Sequence, residues 1–271
     1  MTKQECLADM YGISKKNYMD KISISCKCTT AGRVHLLEEL LYSFLHQKYE
    51  GQSELVIVND YEHQTLHFSD SRVRIFNCNP FPTIGHKENF AIEQCRFDNI
   101  AVFDDDDWAE PNHLENINKY LPGYGLLHWN NGVFWNKDRI VALRCLGNSG
   151  ICYTKEAWIG AGRYPLGNAG SDMDFVINIQ KAGFKVSRAA PENKDASWWY
   201  RWGMNNYNQS GMGHDKNNQE NILIRHKRYL EDLRIKGKIP TGDIELVPRR
   251  NADYTHLLKD FVQKHNNNGV Q

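Results

Sequence analysis

The chain has 271 residues with 33 Lys plus Arg and 33 Asp plus Glu, so its formal net charge is zero. Hydrophobic residues make up 41% and charged residues 24%, a globular balance that excludes a disordered chain and a collagen. Neutrality argues against broad, sequence-blind nucleic-acid binding, which needs basic surface, and the length fits one large domain or one domain with an appendage.

Along the chain, charged and polar residues interrupt every apolar run of the N-terminal segment, so no signal-peptide core is visible there. No stretch approaches the ~20 apolar residues of a membrane helix. Ile22 to Cys28 alternates and reads as a strand, with Cys26 and Cys28 on one face. Thr29-Thr30-Ala31-Gly32 turns the chain. Leu37, Leu40, Leu41, Phe44 and Leu45 then recur at helical spacing between Arg33 and Gln47. Glu54 to Asn59 is an almost wholly apolar strand, as expected where both faces are covered. Val73 to Asn77 is a third strand, Gly85 to Gln94 a helix, and Asn99 to Phe103 a fourth strand that runs into aspartates. Pro111 to Tyr120 is a helix with proline at its start.

This alternation predicts an α/β fold: a mostly parallel sheet with helices on both faces. Ligands of such sheets sit beyond the carboxyl ends of the strands. The polar residues there, Thr29, Thr30, Asn59, Asp60 and Asp104 to Asp107, are the site candidates. Beyond residue 121 the pattern is irregular. Lys155 to Ala161 and Asp172 to Lys181 read as helices, Lys185 to Ala189 as a short strand, and Trp198 to Gly213 as an aromatic loop. Gln219 to Lys236 and Asp253 to His265 read as closing helices. The seven cysteines (Cys6, Cys26, Cys28, Cys78, Cys95, Cys145 and Cys152) show no C-x-x-C spacing. Free thiols in a reducing cytoplasm are the expectation.

Four consecutive carboxylates after an apolar strand repel one another and raise one another's pKa. A hard divalent cation held by oxygens is the usual remedy. In an extended segment Asp104 and Asp106 share a face about 6.6 Å apart, while Asp105 and Asp107 point elsewhere. The alternative is an acidic loop that serves the following helix N-terminus.

In order and spacing, "SISCKCTTAGRVHLLEELLYSFLHQKY", "ELVIVND", "VRIFNCNPFPTIGHKENFAIE" and "IAVFDDDDWAEPNHL" resemble the family 2 glycosyltransferases, which have the GT-A fold. "GSDMDFVINIQKAGFKV" resembles their later acidic motif, with Ser171 where that family usually has Glu. The resemblance covers roughly residues 20 to 190. It implies a metal-dependent, inverting transferase that moves a sugar from a nucleotide-sugar donor, UDP-sugar first, to an acceptor hydroxyl. It implies that Thr30, Arg33, Asp60, Lys87, Asp104 and Asp105 hold the donor and that Asp106 holds manganese or magnesium. Asp172 would be the base, with Asp174 as the fallback and a plain helix cap as the bland alternative. His214 would close on the metal or lie at the surface. Trp198, Trp199 and Trp202, beside Tyr200, would stack on the acceptor or pack in the core. Trp129 and Trp135 carry the same pair of readings, and Trp108 would pack beside the acidic loop.

The domain reading is residues 1–215 as the transferase and 216–271 as a helical extension. Within the first, about 20–120 would bind the donor and about 121–215 the acceptor. The acceptor would be a surface glycan or another small or polymeric hydroxyl compound. Ten basic and seven acidic residues in 220–271 leave the tail net +3. That suits either a solvated helix pair or a polyanionic acceptor such as hydroxymethylated phage-type DNA. Two other classes remain. A sugar-nucleotide pyrophosphorylase would need a glycine-rich phosphate loop, where this chain has one glycine. A non-catalytic nucleotide- or carbohydrate-binding module would have no use for Asp172.

Overall fold

Along β1 (Ile24–Thr30), Ile24, Cys26 and Cys28 bury on one side of the sheet while Ser25 and Lys27 bury on the other. Both faces must therefore be covered, and the computed structural model shows how; it describes residues 21–136, 139–143, 150–168, 170–202 and 219–267. Helix α1 (Val34–Leu45) lays Leu37, Leu40, Leu41 and Phe44 on the Cys26 face. Next in the chain come β2 (Ser53–Asn59), β3 (Gln64–His67), β4 (Val73–Asn77), α2 (Ile84–Gln94) and β5 (Asn99–Val102). In β2, Leu55 and Ile57 join the α1 side, and Val56 joins a second core with Ile92 of α2 and Ile100 and Val102 of β5. Period-two alternation thus splits one apolar run between two cores.

The chain continues through β6 (Trp108–Ala109), α3 (His113–Tyr120), β7 (Leu126–Leu127), β8 (Val133–Asn136), β9 (Arg139–Leu143) and β10 (Cys152–Thr154). Then follow α4 (Lys155–Gly160), α5 (Ser171–Lys181), β11 (Val186–Ser187) and β12 (Trp198–Trp202). The large sheet has the order β11-β7-β10-β5-β1-β2-β4. Its pairs are parallel except those that β10 makes with β5 and β7. Helix α3 supports the α1 face, and α4 and α5 support the α2 face. The α/β architecture expected from the sequence is the one present.

A second sheet, β6-β12-β8-β9, stands apart from the first. Here the sequence reading needs correction: Trp198 to Trp202 is a strand, not a loop. Large aromatic side chains favour strands, and this one pairs antiparallel with β6 and parallel with β8.

Residues 219–267 form α6 (Gln219–Ile235), β13 (Gly242–Glu245) and α7 (Tyr254–Asn267). The segment is thus not wholly helical, since β13 pairs parallel with β3. Leu230 and Leu233 of α6 pack with Tyr61. Tyr254 and Leu258 of α7 close a third core with Trp108, Val133, Trp135 and Trp199. The boundary expected at 215/216, like Cys6, Cys145 and His214, lies outside the described residues. Cys26, Cys28, Cys78, Cys95 and Cys152 are free thiols. Among the described residues no helix is long and apolar enough to cross a membrane.

Candidate active site

The site lies at the carboxyl ends of β1, β2 and β5. Thr30 ends β1 and is buried. Its carbonyl accepts a hydrogen bond from Lys87 Nζ at 2.7 Å, and the same ammonium reaches Asp60 Oδ1 at 2.5 Å. Asp60 follows β2, and its other oxygen accepts from the Phe81 backbone N–H at 3.3 Å. Lys87 is carried by α2, whose N-terminus is capped by Thr83 through the His86 N–H at 3.3 Å. Gly85, the second residue of the helix, lies against the chain at Pro165, so a methyl group there would clash with the Pro165 carbonyl. Thr30, Asp60 and Lys87 therefore form one charged corner.

Arg33 caps the start of α1 with its backbone, not its side chain. Its guanidinium turns to the acidic segment and pairs with Asp105 and, at 3.2 Å, with Asp106. Burial opposes the charge of Arg33, but Asp105 and Asp106 hold its pKa above the ordinary value. The acidic segment itself is a turn, closed by Asp107 N–H to the Asp104 carbonyl at 3.0 Å. The extended geometry expected from the sequence is thus replaced, yet the partition survives. Asp104 and Asp106 are partly exposed, while Asp105 and Asp107 are buried. The partition comes from inward partners rather than from pleating. Arg33 takes Asp105, and the Arg201 backbone N–H donates to Asp107 Oδ1 at 3.0 Å. The Asp105 carboxylate is completely buried, so it serves as the counter-ion of Arg33, with no surface for a donor. Burial pushes its pKa up to about 6 against the pull of Arg33.

Two groups near this turn were not singled out in the sequence. Lys27, in the middle of β1, is buried beneath it and ion-paired with Glu88 of α2. Glu88 also accepts from Thr29 Oγ1 at 2.8 Å. Burial lowers the pKa of Lys27, and Asp104 and Asp172 counteract it. The signal was present: a lysine inside an otherwise buried strand must meet an acid. The other group is Arg201, 1% exposed on β12.

Asp172 is the second residue of α5, after Gly170 in the left-handed region at φ 66°, and it is exposed. Its carboxylate is close enough to Asp104 to join burial and Asp106 in raising that group's pKa, against Lys27 and Arg33. Asp172 therefore lies within electrostatic reach of the acidic turn. Asp174, two residues further along the helix, is partly buried.

The aromatic residues divide differently from the acceptor-stacking expectation. Trp198 and Trp199 are 3% and 0% exposed and belong to the core, so neither offers a face to an acceptor. Trp198 packs on Phe103 and His113, and Trp199 on Trp135 and Tyr254. Trp129 and Trp135 are buried as well. The Trp202 side chain and His214 lie outside the described residues. Tyr200 is the half-exposed residue of β12, stacked at 6.0 Å with Phe134 of β8. Burial raises its pKa, with Asp107, Asp106, Asp104 and Asp172 pushing the same way, so its hydroxyl adjoins the acidic site. Trp108 packs beside the acidic turn, as expected, with its ring 4.5 Å from that of Tyr254.

Asp104 and Asp106 are oxygen donors of the type that hard divalent ions take. Both are partly exposed at the end of β5, so as a pair they fit such an ion. Among the described residues no three His, Cys, Asp or Glu side chains converge as a metal cluster.

Solved structures share this architecture. Staphylococcus aureus TarS 1-349 in complex with UDP-GlcNAc matches over 67% of this chain and 59% of that one, at 13% identity and a TM-score of 0.54. The chain thus spans less than two thirds of that structure. The same protein in complex with UDP matches over 80% and 74%, at 14% identity and a TM-score of 0.54. The mannosyltransferase PcManGT from Pyrobaculum calidifontis, in complex with GDP-Man and Mn2+, matches over 93% and 77%, at 11% identity and a TM-score of 0.53. At these identities the likeness is one of fold. No family model matches the sequence. No curated protein matches it either.

Proposed function

We propose that the protein is a metal-dependent, inverting glycosyltransferase that moves a sugar from a nucleotide-sugar donor, a UDP-sugar first, to an acceptor hydroxyl. The observation that carries this reading is the placement of the partly exposed Asp104 and Asp106 just after β5, beside the Thr30–Asp60–Lys87 corner on the carboxyl edge of a parallel sheet, with Asp172 within electrostatic reach of Asp104. Asp60 and Thr30 hold the nucleoside end of the donor, and Lys87, fixed between them, gives it a positive neighbour. Arg33 fixes Asp106, which with Asp104 faces the diphosphate. A bound manganese or magnesium ion supplies Lewis-acid neutralisation of the diphosphate.

Asp172 accepts the proton of the acceptor hydroxyl. The acceptor oxygen forms its bond to the anomeric carbon from the face opposite the leaving group. The bond from that carbon to the diphosphate oxygen breaks, and its electron pair departs with the nucleoside diphosphate. The proton stays on Asp172 until solvent takes it. Tyr200 and Phe134 replace the buried tryptophans as the aromatic surface beside the acceptor.

A glycan-type acceptor is favoured over modified DNA. Arg234, Lys236, Arg249 and Arg250, four of the basic residues that give the tail its excess, are already paired with Glu231, Asp232, Glu38 and Asp253. The test is a panel of UDP-, GDP- and CMP-sugars with Mn2+, read as donor hydrolysis and as a nucleotide-induced thermal shift. Metal-dependent hydrolysis of one donor is the expected result. No hydrolysis, no metal dependence and no shift would overturn the reading. Asp172→Ala should keep the thermal shift and lose turnover. A wild type that binds nucleotide but turns over no donor would make the protein a binding module.

A further inference from the structure

The buried Arg201 guanidinium makes contacts in two directions. Toward the acidic turn, Nε donates to the Asp106 carbonyl at 2.6 Å and an Nη to the Asp107 carbonyl at 3.2 Å. Away from it, the other Nη donates to Glu39 Oε2 of α1 at 2.5 Å and to the Tyr254 hydroxyl of α7 at 2.9 Å. Tyr254 donates in turn to Glu39 Oε1 at 3.0 Å, and the Asn251 backbone N–H donates to the same oxygen at 3.1 Å. Glu39 and Tyr254 are themselves buried.

An arginine buried only to fill space would be costly, since its charge must leave water. Here the side chain donates to the backbone of the acidic turn, one carboxylate and one hydroxyl. We propose that Arg201 is a positioning residue that sets the Asp104–Asp107 turn through its main chain. Glu39 and the C-terminal helix hold Arg201 in place, so the tail of the chain is a working part of the site. Asp104 and Asp106 aim correctly only while the carbonyls of Asp106 and Asp107 are fixed. The planar fork of arginine suits this task, because one group reaches two carbonyls and a carboxylate at once, and lysine cannot do so.

The inference rests on the proposed role of Asp104 and Asp106, but it has a readout that does not. In metal-free protein, Arg201→Lys should raise amide hydrogen exchange at residues 104–108 about tenfold, with exchange in β1 and β2 unchanged. Tyr254→Phe keeps the ring against Trp108 and removes only the hydroxyl. It is the milder variant should Arg201→Lys fail to fold, and it should raise the same exchange about threefold. With UDP present, the Mn2+ dissociation constant from calorimetry should rise in the same order. In turnover, the KM for Mn2+ should rise while kcat recovers at saturating metal, a split that general loss of folded protein would not produce. Folded variants with wild-type exchange in the turn would overturn the proposal. If the wild type binds neither Mn2+ nor UDP, the transferase reading fails, while the exchange experiment still decides whether Arg201 sets the turn.

Discussion

The two sheets of this molecule are built by different rules. In the large sheet, β1, β2, β4 and β5 come from neighbouring segments of chain, interleaved with the helices that cover its faces. The small sheet draws β6 from before α3, β8 and β9 from the middle, and β12 from about 60 residues further on. The acidic turn lies at the seam, leaving the large sheet at Val102 and entering the small one at Trp108. The large sheet places the Thr30–Asp60–Lys87 corner proposed for the donor, and the small sheet, through Arg201, holds the carbonyls of the turn. A site at such a seam takes its chemistry from one sheet and its geometry from the other.

The strongest way to break this comparison is to remove the small sheet's grip. Arg201→Met leaves Glu39 charged and buried without its cation, a change that costs about 3–5 kcal/mol. Urea unfolding should show a loss of that size. A loss under 1 kcal/mol would mean that the two sheets are not coupled through this residue. Asp106→Asn, at the chemical side of the seam, should do the opposite. Donor turnover should fall about a hundredfold, near 3 kcal/mol in barrier. The urea midpoint should stay within about 0.5 kcal/mol of wild type in stability, because Arg33 keeps its partner in Asp105.

The same contrast explains how much of the protein was legible. Each main strand of the first hundred residues declares itself locally, by period two or by a short apolar run, and β1 and β4 are each followed by a helix of period 3.6. The corner of Thr30, Asp60 and Lys87 then follows from topology. Arg201 could not be read this way. Its partners lie 94, 162 and 53 residues away in the chain, so nothing near it marks it as special. Trp198 and Trp199 misled for a related reason. Aromatic residues in a row suit a ligand-stacking loop or a buried strand equally, and only pairing with the distant β6 and β8 decides between them. The alternation of Asp104 and Asp106 with Asp105 and Asp107 was legible in outcome but not in cause. It depends on Arg33 and Arg201 rather than on an extended backbone.

A smaller effect comes from the core between the sheets. His113 is fully buried against Phe103, Trp129 and Trp198, with Nδ1 3.0 Å from Ser197 Oγ. Burial pushes its pKa down from 6.5 to about 3. A histidine with a depressed folded pKa stays neutral while the unfolded chain takes up a proton. Its contribution to stability is therefore full above pH 6.5 and lost as pH falls toward 3. Within that window each pH unit costs up to about 1.4 kcal/mol. Urea midpoints of wild type and His113→Asn between pH 7 and 4 should show a flatter slope for the variant. Parallel slopes would mean that His113 does take up a proton in the folded core.

The smallest change tests the donor side alone. Thr83 caps α2, the helix that carries both Lys87 and Glu88. Thr83→Ala should cost about 1 kcal/mol of stability, the usual value of a lost cap. The residues that follow Thr83 are also held from outside the helix, because Gly85 N–H donates to the Gly167 carbonyl at 3.1 Å and Ile84 N–H to Asn168 Oδ1 at 3.0 Å. The helix start should therefore fray little. The donor KM should rise less than about threefold, and Mn2+ affinity should not change, since Arg201 and not α2 fixes the acidic turn. A loss of Mn2+ affinity in Thr83→Ala equal to that in Tyr254→Phe would show that the corner and the turn move together, and the division of labour between the two sheets would have to be abandoned.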